Sequence, residues 1–571
     1  MNHRTKTVLG ILLLAGSLSP AWPQPFVSSA EDRAKIEAAL PSEAAVRPLR
    51  LRRLLIFTLN VGYGGHPSMQ HANEAFSQMG RKLGLYETEV SQDPEVFQPE
   101  SLKRFDAVCF NNTVGNCFTN AALRRSLMEF ITGGGGLLGF HGTTVAFTHW
   151  PGAVEDWPEF GFMIGARGAN HRDSDEKVWL KVEDAQHPLT RVFSAEGFEF
   201  RDEYFRPQAP YSRDRVRVLL SMDLAKMDLN AGGPPRGATE RPDNDYAVAW
   251  VRNYGRGRVF YSTMAHNPYV FWNTNLLRFY LNAIQFALGD LPAPTTPSAR
   301  LTPAVRAQES LGWRLAVVAN TFPKQTFTQT IENATQLGVP FIGGCSSQKV
   351  SADLSKNFDA DLTDQELDQV RLKLESAGLR LLTCSLDDLP ADAQACRRVF
   401  EFGRKMGIET FVCAPEPNAL DVVEKLANEY GINVALNPRA QDGRFKVRNL
   451  TSTLKQCVQR SRRIGVYGDM DTWLQHGIDP VKAVRNLGDR LLVLQIHDLD
   501  GKSRSSHEVP WGTGVGQVEK VIRELQRLRL KPTMIGALVP PDSASLSPVR
   551  DSIEFFNRTT LNLLPVGNRL P

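Results

Sequence analysis

Residues 133–144 read GGGGLLGFHGTT: four glycines, a short apolar run, then a histidine set between small residues. An apolar run this short, bounded by a glycine turn, reads as a buried strand. Working outward, RLLIFTLN (53–60), YETEV (86–90) and FDAVCFNNT (105–113) read as further strands, and 69–83 and 119–132 as helices. Strand and helix in alternation imply a mostly parallel sheet covered on both faces. Ligands of such sheets bind outside the carboxyl ends of the strands. The polar residues just after each apolar run are therefore the candidates, and His141 is the first of them.

Others stand in the same position. His66 follows the first strand and its glycine turn, and Asn111 and Thr113 close the third. Farther on come Asn170-His171, the triad Asp202-Glu203-Tyr204, and GRGRVFYSTMAHNP (255–268), which delivers His266 after another strand. Small residues flanking one functional side chain at a strand-to-helix turn have the layout of a nucleophile elbow, here holding an imidazole where Ser or Cys would stand. His141, His171, His266 and Glu203 are the candidate catalytic groups, because imidazole exchanges protons near neutral pH. His66, Asn111, Thr113, Asp202 and Tyr204 are the candidate substrate contacts. Imidazole and carboxylate equally suit a divalent metal. Spacing alone does not separate metal binding from proton transfer.

The stretch LPAPTTPSARLTPAV (291–305) has no apolar period and reads as a linker. It divides the chain into a first domain over 50–291, a linker over 292–305 and a second domain over 306–571. In the second, eight apolar runs, from RLAVVA (314–319) through LLVLQI (491–496) to TMIGAL (533–538), alternate with helical stretches that often end in Gly. Eight strand–helix units in this length predict a (β/α)8 TIM barrel, with its site again at the carboxyl ends of the strands.

The first domain resembles the trehalose-utilisation (ThuA-like) family through RLLIFTLN…GGHPS, FDAVCFNNT, GGGGLLGFHGTT, HPLT (187–190), DEYF (202–205), VAWVRNYGRGRVFYSTMAHNP and FALGD. The resemblance implies an α/β flavodoxin-like (class I glutamine-amidotransferase-like) sandwich and a role in sugar metabolism, and it places the family's polar positions on His66, His141, His171, Asp202, Glu203 and His266. Two glycines stand before His66 in place of the family's usual aromatic-basic pair. Glutamine amidotransfer is excluded as an expectation, since it needs a thiolate at the elbow. The run GDMDTWLQHGIDPVKAVRNLGDRLLVLQIHDLDG (468–501), followed by VPWGTGVGQ, resembles the xylose-isomerase-like barrel of sugar-phosphate isomerases and epimerases. That resemblance implies a divalent metal held by two Glu, one Asp and one His. The Asp falls on Asp469, but the other positions fall on Gln495, near Val434 and near Gly536. The barrel's metal site is thus expected to be lost, leaving Asp469, Gln495 and His497 as substrate contacts. A displaced set of Asp469, Asp471, His497 and Asp498 is the alternative.

Composition bounds the remainder. The chain has 571 residues, 42% hydrophobic and 22% charged, with a net charge of +4; these are ordinary values for a soluble globular protein. So balanced a charge gives no footprint for nucleic acid. Seven cysteines without a CxxC pair argue against a zinc ribbon and a complete disulfide framework. Residues 1–25 show two basic residues, an apolar run too short to span a bilayer, and small residues, the layout of a secretory signal peptide. The expectation is a secreted or periplasmic protein with no integral membrane segment after signal cleavage, acting on a small-molecule carbohydrate such as a sugar or keto-sugar. Cofactor and oligomeric state stay open, with room for a divalent metal in the first domain. A non-catalytic carbohydrate-binding protein and a sugar isomerase or epimerase working through the barrel are the alternatives.

Overall fold

In the computed structural model, residues 28–148, 156–168, 170–229, 241–322, 324–438, 447–537 and 545–564 are described. The leader read over residues 1–25 lies outside them. The first half builds one nine-stranded sheet from β1 (Arg52–Phe57), β2 (Tyr86–Ser91), β3 (Ala107–Asn111), β4 (Gly136–Phe140), β5 (Glu176–Val182), β6 (Phe198–Asp202), β7 (Arg217–Met222), β8 (Ala247–Tyr254) and β9 (Gly257–Ser262). Their spatial order is β2-β1-β3-β4-β9-β8-β7-β5-β6. Neighbours run parallel from β2 to β9 and antiparallel from β9 to β6. The sheet is therefore mixed, which corrects the expectation of a mostly parallel one. A turn as tight as that between β8 and β9 can join only antiparallel strands.

Because successive strand residues face opposite ways, Leu54 and Ile56 pack with helices Ala30–Ala39, Met69–Leu83 and Thr274–Leu288. Leu55 and Phe57 pack on the other face with helices Ala121–Thr132 and Pro158–Ile164. The glycine run before β4 has a packing reason. A Cβ on Gly136 would lie 2.2 Å from the carbonyl oxygen of Ala287, so the helix Thr274–Leu288 can seat itself only over a glycine.

The second half closes β10 (Leu315–Val318), β11 (Phe341–Cys345), β12 (Arg380–Ser385), β13 (Thr410–Cys413), β14 (Asn433–Leu436), β15 (Ile464–Asp469), β16 (Leu491–Ile496) and β17 (Met534–Ala537) into a barrel in chain order. All pairs are parallel, and β17 returns to β10. Ala316, Val318, Leu382, Val412, Ala435, Tyr467, Val493 and Met534 fill its interior. Residues of the opposite parity, Val434 among them, pack outward against the helices. Among the described residues no helix is long and apolar enough to cross a membrane.

The Pro-rich stretch between the halves is packed rather than loose. Thr296 and Pro297 are buried, the Ser298 N–H donates to the Val216 carbonyl at 2.9 Å, and Pro303 already opens the helix Pro303–Leu311. The halves meet base to base. Arg217, at the start of β7, holds Glu309 at 2.8 Å; Arg252 pairs with the buried Glu375, which lies just before β12; Arg256 donates to the carbonyl of Gly431, just before β14, at 2.8 Å. The carboxyl ends of the parallel strands β1, β3, β4 and β9, and those of the barrel strands, are thereby left at the far poles of the molecule.

Candidate functional site

His141 sits where β4 ends and a single 3-10 turn, His141–Val145, begins. Its backbone is left-handed, φ +43, a conformation that costs a non-glycine residue energy and marks sharp functional turns. The small neighbour is required, because a Cβ on Gly142 would stand 2.8 Å from Cε1 of His66. The His141 ring is fully buried, packed at a tilt of 35° against Phe205 with centroids 4.0 Å apart.

Around it the sheet assembles the other predicted histidines. Ring centroids of His66 and His266 lie 4.8 and 5.1 Å from that of His141, and 5.5 Å from each other. One nitrogen from each of the three lies within 4.8 Å of the others. Glu203, just past β6, closes the group: Oε1 is 3.2 Å from His141 Nε2, and Oε2 is 3.3 Å from His171 Nδ1 and 3.7 Å from His266 Nε2. Burial holds the pKa values of His66 and His141 well below the usual imidazole range, and neighbouring imidazoles push the same way. Burial lowers His266 too, against the pull of Glu203. The cluster is thus built to be neutral imidazole beside one carboxylate.

The hydrogen bonding sharpens this. His141 Nδ1 lies 2.7 Å from the Thr263 carbonyl, which can only accept, so Nδ1 carries the proton. Nε2 of the neutral ring is then a bare lone pair facing a carboxylate oxygen. Two acceptors at this distance need a shared proton or a cation between them. Nδ1 of His66 and of His266 are buried with no hydrogen-bond partner among the described residues. Three imidazoles, one ring oriented by a backbone carbonyl, fit a zinc-type divalent cation, with the Glu203 carboxylate beside it.

The remaining predicted contacts of this half do other work. Asn111 turns away from the cluster: its Nδ2 donates to the Met69 carbonyl and to Asn73 Oδ1, both at 2.9 Å, tying the sheet to the start of a helix. Tyr204 is core, its hydroxyl donating to the Phe200 carbonyl at 3.2 Å. Asp202 accepts from the N–H groups of His266 and Asn267 at 3.2 and 2.9 Å, so it positions the His266 loop. Burial raises its pKa to about 8 despite those hydrogen bonds. Thr113 Oγ1 is buried and without a hydrogen-bond partner among the described residues. Sequence reasoning missed Phe205 and Thr263, whose roles arise only from the fold.

The barrel mouth is a polar cavity of about 390 Å³ lined by Asn437, Tyr467, Asp469, Asp471, Gln495 and His497 among others. Several side chains in and beside it are committed. Asp469 caps the helix Met470–Gln475 through Thr472, Gln495 accepts from the Tyr467 hydroxyl, and Asp498 accepts the N–H groups of Gly512, Gly514 and Gly516 at 2.7–3.0 Å. His497 lies between Glu508, hydrogen-bonded to Nδ1, and Asp469, 3.5 Å from Nε2. Burial opposes its charge, but Glu508, Asp469 and Asp471 outweigh that and raise its pKa to about 9. Among the described residues, no three of the carboxylate and imidazole donors here converge as the histidines of the first half do, so they make no comparable ligand set for a divalent cation. The first-Glu position, read near Val434, is corrected: Val434 faces the outer helices, while Asn437 reaches the mouth.

Residues 53–287 match the family model described as ThuA, trehalose utilisation. No curated protein matches the chain. Among solved structures, a ThuA-like protein from Bacteroides uniformis is 19% identical, over 43% of this chain and 93% of that one, with a TM-score of 0.34. A xylose isomerase-like TIM barrel protein from Mycobacterium smegmatis, in complex with magnesium, is 14% identical over 44% of this chain and 98% of its own, TM-score 0.37. The 3-keto-D-glucoside 4-epimerase of E. coli is 14% identical over 43% and 99%, TM-score 0.34. Residues 53–287 are therefore a ThuA-type domain, carried on a chain whose remaining half folds as a closed parallel TIM barrel.

Proposed function

We propose that this chain is an exported enzyme of carbohydrate catabolism whose chemistry lies in the ThuA-type domain. The observation that carries the reading is the bare Nε2 of His141 facing Glu203 Oε1 at 3.2 Å, with His66, His171 and His266 around the pair. Glu203 is the group that takes a proton from a sugar hydroxyl or from a carbon beside a carbonyl. His171, 20% exposed at the rim, exchanges that proton with solvent. His66, His141 and His266 would hold a divalent cation, which when bound polarises an alcohol or carbonyl oxygen. The buried face of Phe205 keeps the His141 ring fixed while this happens. The barrel mouth, polar and without a usable ligand set, serves as a carbohydrate-binding pocket. The family description, trehalose utilisation, supports a sugar substrate, and the N-terminal leader pattern supports export.

The test is turnover of trehalose, other disaccharides and their carbonyl-oxidised forms by the full chain. His141→Ala and Glu203→Gln are each expected to lower the rate about 100-fold or more, whereas Asp469→Ala leaves it nearly unchanged. Loss of activity in Asp469→Ala with activity retained in His141→Ala moves the chemistry to the barrel.

A further inference from the structure

Where the two bases meet lies a half-open cavity of about 780 Å³ that belongs to neither mouth. Its walls are the β8–β9 hairpin, the interdomain stretch, the helix Pro303–Leu311 and the opening residues of β10, β11 and β12. The volume is that of a small-molecule site. Its charge is one-sided: five arginines and Lys531 line it against a single carboxylate, Glu309. Glu309 is already taken by Arg217, at 2.8 Å.

Accounting for the guanidinium partners shows how unbalanced the cavity is. Arg314 and Arg380 share one carboxylate, Glu409. Among the described residues, Arg256 donates to the carbonyls of Gly133, Tyr430 and Gly431. Arg300 donates to those of Val339 and Ala377. Arg258 gives its Nε to the Ala287 carbonyl at 3.0 Å and, among the described residues, meets no carboxylate at ion-pair distance. Carbonyls orient a guanidinium but do not neutralise it. Burial, helped by neighbouring arginines, pushes Arg256 and Arg258 down to about 10, although Glu409 pulls the first upward and Asp106 and Asp290 the second. Beside these forks lies an apolar floor that includes Phe286, Leu291, Pro292 and Trp313.

We propose that this cavity binds a small organic dianion, its phosphate or carboxylate oxygens on Arg258, Arg380 and Arg256 and its less polar body on the floor. Planar guanidinium forks match such oxygens in pairs. The site is independent of the histidine cluster, which stands at the opposite end of β9, and it assigns the junction a ligand rather than a merely mechanical role.

Calorimetry on the full chain with inorganic phosphate, glucose 6-phosphate and citrate tests it, the three probes separating free phosphate, phosphate ester and polycarboxylate. The expected result is one saturable site for at least one probe, with a Kd below about 1 mM. Arg258→Gln is expected to weaken it about tenfold or more, with a further loss on raising the salt. Should that variant fold poorly, phenylglyoxal labelling of the unaltered protein replaces it, with Arg258 and Arg380 protected by the bound probe. No saturable binding of any probe overturns the proposal. So does binding that Arg258→Gln leaves intact, or binding that leaves the labelling of both arginines unchanged.

Discussion

His497 holds its charge where burial alone would remove it. It is 5% exposed, yet it keeps its proton because Glu508 and Asp469 bracket the ring. Its folded pKa of about 9 lies above the ordinary 6.5. The stabilisation it gives is therefore fully present below pH 6.5 and lost as pH rises through 9, a difference of roughly 3 kcal/mol. Urea unfolding of the full chain from pH 6 to 10 is expected to show that loss, and His497→Gln to flatten it; an unchanged slope in the variant refutes the bracketed charge. Glu508 could not be read from the sequence, because it reaches His497 only through the bridge between Leu499 and Glu508 that folds the loop back. His141 could be read, since a strand followed by a residue between small neighbours leaves few other conformations. Asn111 and Tyr204 have structural partners for one shared reason. A polar residue at a strand end is equally suited to hold a helix or a neighbouring backbone carbonyl, and each does so here.

At the scale of elements, apolar runs and glycines were legible, and pairing direction was not. All eight barrel strands fall on the runs that predict them, because each is bounded by helical stretches and turn residues. The antiparallel half of the first sheet had a signal, VAWVRNYGRGRVFYS, two apolar runs around a glycine turn. That is hairpin chemistry, and the strand–helix rhythm before it masked it. Glycines at two element ends separate packing from conformation. Gly136→Ala drives a methyl into the Ala287 carbonyl and Ala107 Cβ, 2.2 and 2.8 Å away, and should cost about 3 kcal/mol. Gly84→Ala, with open space around it and φ +64, should cost only about 1 kcal/mol for the left-handed backbone. Denaturation midpoints of the two variants check the order; equal losses would mean that the helix slides off β4 without strain.

For the molecule as a whole, the junction is held by a pair that water does not reach. Arg252 and Glu375 are 3% and 6% exposed, and burial raises the Glu375 pKa while Arg252 draws it back. Glu375→Gln should destabilise the chain by about 3–5 kcal/mol, because a guanidinium is left buried without its counter-ion. Replacing both residues by leucine should recover much of that loss. A double variant no more stable than Glu375→Gln would show that the pair does more than cancel charge. The base-to-base arrangement also fixes the traffic of small molecules. With β9 on one side and the barrel strands on the other lying between them, the two mouths are roughly 30–40 Å apart and open in opposite directions. Nothing released from one can slide into the other; it must escape to bulk solvent and find its way back by diffusion, where any competing protein can intercept it. Fusion here holds the two mouths at a fixed ratio of one to one, and builds no conduit between them.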